Sequence, residues 1–422
     1  MLSGLPPPRG RDFQDRSGWT AWLLLAIPIL FFAGVAIRLW LLPSRGLVGD
    51  IDQFVVWVHG IAVNGWDRAY DQNLSFPAVM AWVWGLLAAI EPAFRTVTDS
   101  ADPGIRSLMK IPASLADLGI AAAAIWWFRE QPKLALLAAG AVLLWPATWY
   151  VSAWWGQYES IYVLGAVLAL LAARARLPLV AAALLAVSLM TKPQALPFLV
   201  PFGAWFLASQ GVKGTLKAAA VGAVVVVLLW LPFVAAGGPG NYLGNLGTYQ
   251  NDIFSVLSLR AWNPWALLQE LGANGDFVSD RSVALGPLTF RLVGFVLAGL
   301  FALVVFVSVY RRPTADQLAL GLAAISLAAF IALTTMHERY AYPALVFLLF
   351  ALGRPAVTVA WVAFAVVFVA NLVVAVPPEG WVIPEVRAFT IVGSIAMTVI
   401  ALWVLILLAA RGPVRGEPRV SL

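Results

Sequence analysis

"LSFPAVMAWVWGLLAAI", residues 74–90, decides how the rest of this chain is read. The segment is apolar enough to be a membrane span, and if it crosses, every later loop changes side. The question arises because almost the whole chain is built of such segments. Of its 422 residues 62% are hydrophobic and only 11% charged, against about 25% charged in soluble domains. Apolar blocks recur along the full length, so the expectation is a single integral-membrane domain over residues 1–422 with no separate soluble domain.

Runs long enough to cross about 30 Å of hydrocarbon predict an all-α polytopic bundle of about twelve transmembrane helices. They lie near 19–42, 107–128, 134–150, 159–173, 178–191, 194–209, 215–236, 288–310, 316–335, 340–353, 355–376 and 386–410. The first exceeds the roughly 7–15 apolar residues of a signal-peptide core and has no clear small-residue cleavage site, so it reads as retained.

Charge then places residues 74–90, because Lys and Arg near helix ends favour the cytoplasmic side. If the segment lies in the interface, the N-terminus, "FREQPK", "RAR", "QGVKGTLK", "YRRPTAD", "GRP" and "RGPVRGEPR" share one side. Together they hold about 15 of the 27 basic and about 5 of the 21 acidic residues, the bias of a cytoplasmic face. A crossing segment would put "RAR" and "YRRP" outside. The reading is therefore an interfacial helix at 74–90, both termini cytoplasmic, and a plasma (inner) membrane location.

Two large pieces, 43–106 and 237–287, then face the extracytoplasmic side, and function is expected there. In the first, Phe54, Val55, Val58, Ile61 and Ala62 follow helical spacing, predicting a short amphipathic surface helix from about Gln53. The second, rich in Gly, Asn and aromatics, reads as a loop over a pocket. No exact short repeat is visible. The absence of cysteine excludes disulfides, thiolate metal sites and cysteine nucleophiles. A net charge of +6 is scattered over short loops, a pattern of orientation signals rather than of a nucleic-acid surface, so no nucleic-acid partner is expected.

Four polar clusters fall at the outer helix ends: "GDID" with Asp50 and Asp52, "WWGQYES" with Gln157 and Glu159, "TKPQ" with Lys192 and Gln194, and "MHERY" with His337, Glu338 and Arg339. An Asp at the mouth of a wet cavity can act as a general base toward a hydroxyl. The plainer alternative is a helix cap, with Asp52 the better placed for it. Both acids can face one site only if the backbone there is extended or turning. A DxD pair is also a metal-binding pattern, but two acids alone leave the metal question open.

Lys192 and Arg339 stand where positive-inside statistics disfavour them, so each calls for an anionic ligand or an acidic partner. Converging, they would form a phosphate clamp; otherwise Lys192 pairs with Glu159 and Arg339 with Glu338, or both snorkel. His337 suits proton transfer or a plain hydrogen bond, and His59 has a weaker claim. Gln157 and Gln194 can bind sugar hydroxyls or join helix ends. Asp117 within a span and Lys110 near its end point to a helix-to-helix bond. The 20 Trp suit sugar stacking and membrane interfaces alike.

In this order, "GDIDQFVVWVHGIAVNGWDRAYDQNLSFPA", "WWGQYESIYVLGAVLALLAA", "LMTKPQALPFLVP" and "MHERYAYPALVFLLF" resemble the GT-C superfamily of integral-membrane glycosyltransferases, nearest to bacterial relatives of the glycosylphosphatidylinositol-anchor mannosyltransferases. The resemblance covers roughly residues 19–376. It implies a GT-C-like bundle with interfacial helices in the first outer loop. It also implies transfer of a hexose, in such relatives mannose, from a polyprenyl-phosphate donor to a lipid, glycan or protein acceptor, usually with inversion. By the same likeness Asp50 would be the base, Asp52 a supporting acid, Lys192 and Arg339 the cations on the leaving phosphate, and His337 and Glu338 donor-side neighbours. Gln194, in "TKPQ", would also lie around the donor, and Gln157 and Glu159 would hold sugar or acceptor. No cofactor is required, though a divalent cation can be accommodated; membrane lipids are the remaining partners. Relatives often carry Asp at the position of Glu159, a departure that affects that carboxylate's role. The rival classes are a polytopic transporter, a flippase for a lipid-linked sugar, and a non-catalytic envelope subunit.

Overall fold

The computed structural model describes residues 21–410. The predicted cytoplasmic N-terminus, residues 19–20 of the first span and the C-terminal "RGPVRGEPR" lie outside the described residues. The chain is helical almost throughout. It runs α1 (Ala21–Leu41), α2 (Val48–Asn64), α3 (Ala78–Ile90), α4 (Pro103–Trp127), α5 (Pro132–Leu144), α6 (Pro146–Trp149), α7 (Glu159–Arg174), α8 (Pro178–Leu189) and α9 (Leu199–Trp230). It continues as α10 (Gly238–Thr248), α11 (Pro264–Ala273), α12 (Phe290–Tyr310), α13 (Ala315–Ala332), α14 (Tyr342–Phe350), α15 (Pro355–Ala375) and α16 (Val386–Ala409). Among the described residues the strands are four short pieces: β1 (Ser258–Leu259) runs parallel to β4 (Met336–His337), and β2 (Val283–Leu285) pairs antiparallel with β3 (Leu288–Thr289).

The count of twelve spans is corrected. Among the described residues seven helices are long and apolar enough to cross a membrane, or eight if the bent pair Pro132–Leu144 and Pro146–Trp155 is one span. Three predicted spans fold as helices too short to cross: α7 has 16 residues, α8 has 12 and α14 has 9. The predicted span 134–150 is bent by 41° at its break, where Pro146 removes a backbone donor. Predicted spans 194–209 and 215–236 belong to one helical stretch, Pro193–Phe233, interrupted at Gly211 with φ 64° and ψ −177°. That backbone is outside the helical range, and glycine adopts it at no steric cost. Hydrophobic runs report apolar length; they do not report where a short helix is sheltered by its neighbours.

α3 has 13 residues, about 20 Å at 1.5 Å each, well short of 30 Å of hydrocarbon. With α2 it forms a separate small core. Phe54, Trp57, Phe76, Trp84 and Tyr158 meet there with ring centroids 5.1–6.4 Å apart, at spacings where aromatic edges and faces attract. The larger core fills the bundle of α4, α5, α7, α8 and α13 to α16 and is rich in alanine, which lets helix axes approach closely. The piece 237–287 is more ordered than a loop. It folds into α10, α11 and the β2–β3 hairpin. Pro264 starts α11, and the Asn263 side chain caps it by accepting from Ala266 N–H.

Beneath the junction of the two cores lies one buried polar hub, and it is the helix-to-helix bond expected of Asp117. Arg38 of α1 donates to Asp117 Oδ2 at 2.7 and 3.1 Å, and Ser152 donates to the same oxygen at 2.5 Å. Ser160 and Tyr342 donate to Oδ1 at 2.5 and 2.9 Å. A charge buried in apolar surroundings is tolerated when paired and hydrogen-bonded in this way. Ser152 and Ser160 flank the "WWGQYE" turn, so the hub fixes the segment that carries Trp155, Gln157 and Glu159. Lys110 secures the same turn by donating to Trp154 O at 2.6 Å and Ser44 O at 2.7 Å.

Candidate functional site

α2 starts at Val48, about five residues before the expected Gln53, and neither Asp caps it; Leu47 is the N-cap residue and makes no side-chain bond. Residues two apart on a helix point in different directions, and the two acids separate accordingly. Asp50 faces a cavity, where its Oδ2 accepts from Gln157 Nε2 at 2.6 Å and Trp155 Nε1 at 3.0 Å. Asp52 is the correction. Its Oδ1 accepts from the Ser100 hydroxyl at 2.5 Å and backbone N–H at 2.8 Å, pinning the chain before α4 to α2. It does not line the cavity that Asp50 enters.

The cavity, about 140 Å³, brings all four motifs together. Its wall includes Asp50, Gln157, Lys192, Gln194, His337 and Arg339, with Phe54, Trp57, Phe76, Tyr249, Phe254 and Tyr340 as aromatic faces. Asp50 comes from the first turn of α2, and the other motifs are delivered at breaks in helix. Gly156, with φ 91°, ends a π-turn and hands Gln157 to Asp50; a side chain there would also press on Lys110 at 3.0 Å. Lys192 sits just ahead of a 3₁₀ turn begun by Pro193. His337 lies in β4, whose pairing with β1 is preceded by Thr335 at φ 64°.

Thr335 is held in that left-handed conformation by its N–H donating to Val256 and Leu257 carbonyls. Thr334 Oγ1 adds a 2.8 Å bond to Asp280. Asp280 is fully buried and also accepts from Arg291 at 2.7 and 2.9 Å and Ser255 at 3.0 Å. Burial alone would raise its pKa; the hydrogen bonds from Arg291, Thr334 and Ser255 outweigh that and hold it below the usual carboxylate range.

Both ion pairs weighed against the phosphate clamp are made. Lys192 Nζ lies 2.5 Å from Glu159 Oε1, and Arg339 lies 3.1 Å from Glu338 Oε1 and 3.5 Å from the same Glu159 oxygen. Glu159 and Glu338 nevertheless do not line the cavity. The two cations form its wall, and their acids stand behind them. Aromatic faces complete the cations' surroundings, with Phe76 and Tyr340 each 5.5 Å from Lys192 and Trp155 5.0 Å from Arg339. Two acceptor atoms, Glu159 Oε2 and Gln194 Oε1, are buried without a hydrogen bond from the described residues.

Burial lowers the Lys192 pKa against the opposing pull of Glu159, and burial together with Arg339 and Lys192 holds His337 well below 6.5, so its ring is neutral. Burial raises the Glu338 pKa. For Arg339 burial favours loss of the proton, but Asp50 and Glu338 reverse this and keep it firmly charged. His337 Nδ1 is 3.3 Å from Arg339, and its ring packs on Phe254 and Tyr340. His59 is elsewhere, bonded to Phe94 O at 2.8 Å.

Among the described residues no group of three or more His, Asp or Glu is placed to hold a metal ion. Sequence reading missed the aromatic floor of Trp57, Phe76, Tyr249 and Phe254, and Trp155 as a donor to Asp50. Only the indole N–H, which needs a partner when buried, hinted at the latter. A second, apolar cavity of about 270 Å³ adjoins, sharing Pro193, Gln194, Gln250 and Tyr340 and otherwise walled by residues such as Leu196, Phe198, Phe330 and Leu333. No protein-family model and no curated protein matches this chain.

Proposed function

We propose that the protein is a glycosyltransferase of GT-C type that moves a hexose from a polyprenyl-phosphate donor to an acceptor hydroxyl on the extracytoplasmic face. The single observation that carries this reading is the polarity of the cavity wall. One carboxylate, Asp50, shares it with two cations, Lys192 and Arg339, whose balancing acids lie behind the wall. Such an arrangement puts a base and two anion-binding cations in one cavity, among aromatic faces suited to a sugar ring. The adjoining apolar cavity gives an isoprenoid tail a place beside a phosphate held by the cations. The resemblance of the four motifs to GT-C enzymes points the same way, and mannose is the sugar it suggests.

In this mechanism the carboxylate of Asp50 takes the acceptor's hydroxyl proton as the oxygen attacks the anomeric carbon. The C1–O bond to phosphate breaks from the opposite face, and the lipid monophosphate leaves with the electron pair. Both hydrogen bonds to Asp50 from the described residues fall on Oδ2, leaving Oδ1 for the proton. Arg339 and Lys192 stabilise charge developing on the leaving oxygen. His337, neutral, orients Arg339. A bound divalent cation would add charge stabilisation, but the mechanism assigns it no step.

The test reconstitutes the protein in lipid with polyprenyl-phosphate mannose and native envelope lipids and follows labelled product. Asp50→Asn is expected to lower transfer by about 10²- to 10⁴-fold, the usual worth of a general base, while Asp52→Asn retains it. Undiminished turnover by Asp50→Asn rejects the assignment, and donor-independent uptake of sugar into the liposomes would make the protein a transporter.

A further inference from the structure

At the end of the bundle away from the candidate site, the last turns of α12 and α16 line a groove of about 640 Å³. Its walls are apolar, Val304 and Val307 on α12 and Leu408 on α16, and its mouth carries Arg311 and Arg312. α12 has 21 residues, about 32 Å, so the arginines stand roughly a bilayer thickness from Arg291 at its other end. The combination of a greasy trough and two guanidinium groups at a helix end matches the chemistry of one molecule, an anionic phospholipid, with acyl chain in the trough and phosphate at the mouth.

No acid among the described residues neutralises Arg311 or Arg312. Neither makes an ion pair among the described residues, and Asp316, the nearest acid in sequence, is exposed and makes none either. Arg312 is aimed by one bond, donating to Ala410 O at 2.8 Å, and its side chain makes no other hydrogen bond among the described residues. In sequence, residues 411–422 carry Arg411, Arg415 and Arg419 against Glu417, so the chain beyond α16 is also basic. We infer that this groove binds an anionic phospholipid, a site independent of the proposed transferase reaction.

Native mass spectrometry of delipidated protein titrated with phosphatidylglycerol tests it, with phosphatidylcholine as the neutral control. The wild type should retain phosphatidylglycerol over phosphatidylcholine, and Arg311→Gln/Arg312→Gln should weaken that retention about tenfold, the scale of a lost charge-assisted pair. Val304→Trp, which fills the trough and leaves both arginines, should weaken it similarly. Lys213→Gln/Lys217→Gln removes the same charge from exposed positions outside the groove and should leave it unchanged. An equal loss in both double variants would mean general surface attraction and overturn the site. Displacement of the lipid by equimolar glycerol phosphate would also overturn it, because the trough would then contribute nothing.

Discussion

Asp50 and Asp52 differ by two positions and share no partner, because a helix turns each successive side chain through about 100°. Lys192 shows the limit of a residue-by-residue argument, since an ion pair and a ligand contact are both served by one ammonium. Its pair with Glu159 is buried, so Lys192→Met should destabilise the protein by up to about 3 kcal/mol, with Arg339, 3.5 Å from the same oxygen, left as that carboxylate's remaining cation. Adding Glu159→Gln should restore the melting temperature but not transferase activity; full recovery of both would reduce Lys192 to a structural role. His337 yields a prediction in pH. Its folded pKa is depressed, so the folded state binds fewer protons, and stability falls as pH drops below the unfolded value of about 6.5. The slope is up to about 1.4 kcal/mol per pH unit. His337→Asn should flatten the melting temperature of the detergent-solubilised protein between pH 6.5 and 5 if this histidine is responsible.

Elements, more than residues, explain how motifs 140 positions apart or more meet. α2 and α3 hold Asp50 through an aromatic core of their own, while the "MHER" turn is held by Asp280, to which Thr334 and Arg291 donate. Asp280→Ala should therefore loosen the β1–β4 contact without melting the bundle. The expected result is faster amide exchange of Leu257 and Thr335, whose N–H groups are bonded in this region, by about 10- to 100-fold for the roughly 1.5–3 kcal/mol of a charged hydrogen bond. Unchanged exchange there would show that the strand pairing stands without Asp280.

For the whole molecule, positive-inside bias predicts that the site faces the outside. The chain has no cysteine, so single cysteines report cleanly. Asp276→Cys, exposed near the site end, should react in intact cells with an impermeant maleimide, and Gln210→Cys, exposed beside the Gly211 break, only after permeabilisation. The reverse pattern would invert the orientation and place the candidate site in the cytoplasm. The number of spans matters less to this test than which loops sit together.

From sequence alone came the membrane class, the helical content, the four polar motifs and the pairing choices open to Lys192 and Arg339. These depend on composition and on local spacing, which the chain carries in one dimension. Tertiary structure alone decided that Asp50 and Asp52 part company, that twelve apolar runs make seven or eight long helices, and that the acids behind Lys192 and Arg339 leave both cations facing a cavity. Such outcomes depend on helix starts, breaks at Pro146 and Gly211, and contacts between distant segments. Hydrophobicity does not encode them, because an apolar residue gains about as much free energy against one apolar neighbour as against another.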